Sequence, residues 1–105
     1  MGGGARCGHG GLMGVLHLVE SVPAFGNCRV RAGEGDAILL IGDGVYAAAQ
    51  MPEMETLSRH PVFVLEEDLA LRGMAPMSIK SHAAVTDYRG FVALTLQHHP
   101  VVTWR

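Results

Sequence analysis

Apolar residues fall along this chain in short runs, each closed by glycine, proline or charge. The run "GVLHLVE" (Gly14 to Glu20) is rich in β-formers and predicts a first strand. "DAILLIG" (Asp36 to Gly42) shows no polar alternation, which predicts a second strand buried on both faces. "PVFVLEED" (Pro61 to Asp68) predicts a third strand, "AAVTD" (Ala83 to Asp87) a weaker fourth, and "VVTW" (Val101 to Trp104) the last. Between them, "SVPAFGN" reads as a turn or loop, and "NCRVRAGEG" as a short helix closed by Gly33 or Gly35. A helix is predicted from Val45 to Gln50, where Pro52 interrupts it, with a second helical stretch in "PEMETLSRH". "EEDLALRG" predicts a short helix stopped by Gly73, and "MAPMSIKSH" a loop. "DYRGFVALTLQHH" predicts the last helix, with Asp87 as its N-cap and Phe91, Val92, Leu94 and Leu96 as its apolar positions. Strands alternating with helical stretches form βαβ units. The expected fold is one three-layer α/β/α domain on a mostly parallel sheet of about five strands.

Composition narrows the class of partner. At 105 residues the chain is one domain, and folding at that size buries roughly 60–70% of the unfolded surface. With 49% hydrophobic and only 17% charged residues, part of the exterior is expected to be covered by another chain. A net charge of -2 offers no basic field for nucleic acid, and no apolar run approaches the ~20 residues of a membrane span. Residues 1–12, "MGGGARCGHGGL", are expected to be a flexible leader, and residues 13–105 the domain. Cys7 and Cys28 make no disulfide framework, which predicts a reducing cytoplasmic setting. Cys7 and His9 on a flexible tail make no metal site.

The chemistry-bearing motifs are few. Gly42, Gly44 and Ala47 match the G-x-G-x-x-A of a dinucleotide loop, with Glu66 near the ribose-binding offset. Against that reading, the loop follows the second strand, and Asp43 would set a carboxylate where phosphate oxygens belong. The glycines read instead as a backbone corner, with Asp43 capping the helix. No two of the six histidines have the i, i+4 spacing of a helical metal site. His17 reads as a hydrogen-bonded core residue, and His98-His99 as a helix end. Glu66, Glu67 and Asp68 read as the first turn of a helix rather than as paired catalytic acids. Cys28 has two readings of equal weight. Beside Arg29 and Arg31, on the helix after the first strand and at the carboxyl edge of the sheet, it would be a reactive thiolate. Otherwise it is a small buried residue.

Several motifs in order resemble one known family: "LH", "SVP", "EGDAILLIGDGVYAAA", "VLEEDLALRG" and "VTDYRGFVALTLQHHPVVTW" are similar to the DsrH/TusB family from about Met13 to Trp104. The resemblance implies a five-stranded parallel sheet of order 4-3-2-1-5. It implies the smallest subunit of a heterohexameric sulfur-relay complex, assembled with DsrE/TusD-like and DsrF/TusC-like chains. Sulfur would pass from a TusA-like donor to a TusE/DsrC-like acceptor, for tRNA wobble-uridine 2-thiolation or for sulfur oxidation. No cofactor, metal or direct nucleic-acid contact is implied. The principal sulfur-carrying cysteine belongs to the DsrE/TusD-like chain. Cys28 matches the cysteine of the DsrH branch and is the candidate persulfide carrier, on a helix expected to be abbreviated because the first loop is short. Asp43, Gly44, Val45 and Tyr46 are expected at a turn or interface. The alternatives are a stand-alone homo-oligomeric α/β module without sulfur transfer, and a nucleotide-binding enzyme using Gly42–Ala47.

Overall fold

A computed structural model describes residues 14–50, 60–75, 79 and 83–105. Strands β1 (Leu16–Val19), β2 (Ala37–Leu40), β3 (Val62–Leu65), β4 (Ala84–Thr86) and β5 (Val101–Trp104) form one sheet, ordered β4-β3-β2-β1-β5. Every neighbouring pair is parallel. This is the three-layer architecture and strand order expected. The leader and its boundary at Met13 lie outside the described residues, as do all of "PEMETLSRH" before His60 and most of "MAPMSIKSH".

The pleat sorts the apolar positions onto two faces. On one, Val19, Ile38, Leu40, Val62 and Val64 pack under helices α1 (Val22–Arg31), α2 (Val45–Gln50) and α3 (Glu66–Leu71) through Phe25, Cys28, Ala47, Ala48 and Leu69. On the other, Leu16, Ala37 and Leu39 meet Phe91 and Leu94 of α4 (Tyr88–Gln97). All of β2 is buried, as its unbroken apolar run requires, whereas edge strands β4 and β5 leave Val85, Val101 and Val102 exposed. A single helix thus covers the second face among the described residues, and it too leaves Tyr88, Val92 and Leu96 in solvent.

Two helix ends follow their sequence signals. Asp87 accepts the Gly90 N–H at 2.9 Å and caps α4. Glu66, Glu67 and Asp68 occupy the first turn of α3. The reading of "SVPAFGN" as a loop is corrected, because these residues contain the N-cap and first half of α1. Ser21 accepts the Ala24 N–H at 3.2 Å, and Pro23 falls in the first turn, where its missing N–H removes no helical bond. Burial of Ala24 and Phe25 holds the turn down. The helix carrying Cys28 is therefore ten residues long rather than abbreviated.

Candidate functional site: a buried thiol, a polar line and a glycine corner

Cys28 is the seventh residue of α1, which starts at the carboxyl edge after β1 and runs back over the sheet. The expectation that Cys28 stands at the carboxyl edge is corrected, since six helical residues carry it toward the amino edge, near Asp36. Its side chain is 0% exposed in the first core cluster. Burial first, and the Asp36 carboxylate second, push the thiol up from an ordinary 9.0 to about 11. The neighbouring arginines do not activate it: Arg29 lies over the Phe25 ring at 5.5 Å, and Arg31 is exposed. In this fold Cys28 is a protonated, enclosed thiol at neutral pH, which favours the packing reading over the thiolate.

Asp36, which sequence reasoning passed over, organises the polar interior. Its Oδ1 accepts the Val15 N–H at 2.8 Å, and its Oδ2 accepts the Gly33 N–H at 2.8 Å and His17 Nε2–H at 2.8 Å. Burial raises the carboxyl, but the hydrogen bonds from His17, Gly33 and Val15 together hold it below the usual carboxylate range. On its other side, His17 Nδ1 accepts the indole N–H of Trp104 at 2.9 Å. His17 is thus the hydrogen-bonded core residue expected, now with both partners named. A hollow of about 180 Å³ reaches Asp36 from the amino edge, bordered by Pro61, Phe63, Leu94, Gln97 and His98. His98 closes α4, with Nδ1 donating to the Leu94 carbonyl at 3.0 Å. The only advance signal for this network was an acid placed at the start of an otherwise apolar strand.

At the carboxyl edge, Gly42–Gly44 makes one 3-10 turn leading into α2. Gly42 takes φ +54°, the left-handed region, and a Cβ on Gly44 would run into the Val19 carbonyl. Asp68 Oδ2 accepts the Gly42 N–H at 2.7 Å. Asp43 does not cap the helix as expected; its Oδ1 accepts Arg72 Nε–H at 3.0 Å, and Arg72 also donates to the Asp68 carbonyl at 3.3 Å. A free helix start would have needed such a cap, whereas here the preceding 3-10 turn feeds directly into α2 and leaves Asp43 for the guanidinium. Gly44 and Val45 are buried in this corner, while Asp43 and Tyr46 stand at the surface. With the Gly42 N–H given to a carboxylate, the turn is a corner and not a phosphate cradle. No group of three or more His, Cys, Asp or Glu suited to a metal ion occurs among the described residues.

Two quoted motifs, "EGDAILLIGDGVYAAA" and "VLEEDLALRG", are thus tied together by Asp43, Asp68 and Arg72, and the first also supplies the buried Asp36. Residues 21–101, which carry both, match the family described as "DsrH like protein". The chain belongs to the DsrH family. It is 39% identical over 96 residues to Protein TusB of Escherichia coli (strain K12), covering 89% of this chain and 100% of that protein. It is 40% identical over 79 residues to Protein TusB of Yersinia pestis (strain Pestoides F), covering 72% of this chain and 81% of that one. Membership carries the general role of the DsrH family, a subunit of a sulfur-relay complex. No helix among the described residues of this DsrH chain is long and apolar enough to cross a membrane.

Proposed function

We propose that this chain is the accessory small subunit of a cytoplasmic persulfide-relay complex, assembled with DsrE/TusD-like and DsrF/TusC-like chains. The complex moves sulfur from a TusA-like donor toward a TusE/DsrC-like acceptor, and the likeness to TusB proteins favours tRNA wobble-uridine 2-thiolation as the destination. Sulfur oxidation is the alternative that the retained Cys28 favours. The accessory role rests on one observation: Cys28 is fully enclosed, with its thiol held up to about 11. A relay thiol must reach its donor as a thiolate, attack the outer persulfide sulfur and release it to the next thiol. An enclosed, protonated sulfur does none of these at neutral pH. The subunit then contributes surface, with Asp43 and Tyr46 as candidate interface residues beside the buried turn residues Gly44 and Val45.

The test is transfer from a persulfurated TusA-like donor to the chain within its complex, with sulfur located by peptide mass beside a Cys28→Ser control. The accessory role predicts sulfur on a partner cysteine and none on Cys28. Sulfur on Cys28, absent from the control, would make it the carrier. A chain that forms stable homo-oligomers and ignores both partner subunits would instead be a stand-alone module. Restored 2-thiouridine in a strain lacking its own TusB would support the tRNA destination.

A further inference from the structure

The line Trp104–His17–Asp36 joins β5, β1 and the turn before β2 inside the domain, and the relay chemistry makes no use of it. Its polarity is fixed at both ends. An indole N–H only donates, so Nδ1 of His17 carries no proton; a carboxylate only accepts, so Nε2 carries one. The ring is therefore the neutral Nε2–H tautomer, with both nitrogens occupied. A second proton has one place to go, Nδ1, which already faces the indole N–H at 2.9 Å. Turning the ring over brings no relief, because an imidazolium has no acceptor.

We propose that His17 is a proton-operated latch on the C-terminal strand: proton uptake at Nδ1 expels the Trp104 indole, and proton loss reseats it. The proton comes from water. One N–H bond forms, one hydrogen bond breaks, and no other covalent bond changes. The form with Trp104 released takes the proton more readily, so acidification favours release by linkage. The cation formed would face the Asp36 carboxylate across the 2.8 Å contact. Among the described residues, the other groups nearby are the neutral Cys28 thiol of α1 beside Asp36, His98 at the hollow next to Asp36, and the Glu20–Arg105 pair at the solvent ends of β1 and β5. Release acts on an edge strand whose end is otherwise held by the Glu20 N–H on the Trp104 carbonyl and the Ser21 hydroxyl on the Arg105 carbonyl.

Trp104 is the single tryptophan of the chain, so its emission reports the latch directly. The full chain is titrated from about pH 8 to about pH 5, the range in which histidine changes charge, beside His17→Gln. Glutamine offers an oxygen to the indole and an N–H to Asp36, and takes up no proton in that range. The expected result is a reversible red shift of wild-type emission with greater quencher access on acidification, and a flat profile in the variant. Nitrogen NMR of the wild-type imidazole gives a readout that needs no variant: the Nε2–H tautomer at the alkaline end, with imidazolium appearing in step with the Trp104 shift. The latch is overturned if His17 becomes imidazolium with Trp104 unmoved, if it stays neutral throughout, or if His17→Gln shows the same transition.

Discussion

A carboxylate inside a domain loses hydration unless donors replace the lost water, and Asp36 finds donors in Val15, Gly33 and His17. Asp36→Asn turns one oxygen into an N–H2 group facing other donors, and the expected loss is ~2–4 kcal/mol of unfolding free energy, read from urea denaturation. The pH limbs follow from the two shifted groups. The Asp36 contribution is complete above its ordinary 3.8 and is lost as pH falls through the lower folded value. The Cys28 contribution is complete below its ordinary 9.0 and is lost as pH rises toward about 11. Unfolding followed against pH checks both, with Asp36→Asn flattening the acid limb and Cys28→Ala the alkaline one. At neutral pH, alkylation mapped to Cys28 should proceed only as fast as the fold opens. His17 was legible as a core residue from its place in an apolar strand. Its partners were not, because they lie 19 and 87 residues away.

Among elements, the corner between β2 and α2 joins segments far apart in sequence through side chains with unequal stakes. Gly44→Ala pushes a methyl into the Val19 carbonyl, which is backbone and cannot step aside, and should cost ~1–3 kcal/mol. Asp68→Ala strands the Gly42 N–H and should cost ~1–3 kcal/mol. Arg72→Ala should cost less than ~1 kcal/mol, because its partner Asp43 has a side chain 71% exposed. Chemical denaturation of the three variants checks that order. The glycines announced a turn in advance, but the choice between cradle and corner was invisible. It depends on Asp68 arriving from a helix 26 residues further on. The start of α1 carries a misleading local signal: Pro23 and Gly26 look like loop residues, and the burial of Phe25 and the Ser21 cap outweigh them.

Over the whole molecule, one sheet face is covered by three of the described helices and the other by α4 alone, with Tyr88, Val92, Leu96 and Val101 left in solvent. Leu96 is 73% exposed, so Leu96→Asp should change stability by no more than about 0.5 kcal/mol. If α4 lies against a partner in the proposed complex, the same change should weaken co-purification with the DsrE/TusD-like and DsrF/TusC-like chains. A variant that folds and still assembles fully would place the contact elsewhere.

The number of strands, their parallel sense, the burial of β2, the Asp87 cap and the acidic start of α3 were all determined by the sequence. Hydrophobic period, capping and dipole preference act over a few residues, and neighbours along the chain carry them. The state of Cys28 belonged to the tertiary structure. Beside Arg29 and Arg31 a thiolate was as reasonable as a thiol, until packing enclosed the sulfur and brought Asp36 up to it. Ionisation responds to solvent and to charges close in space, and only the folded chain brings those together.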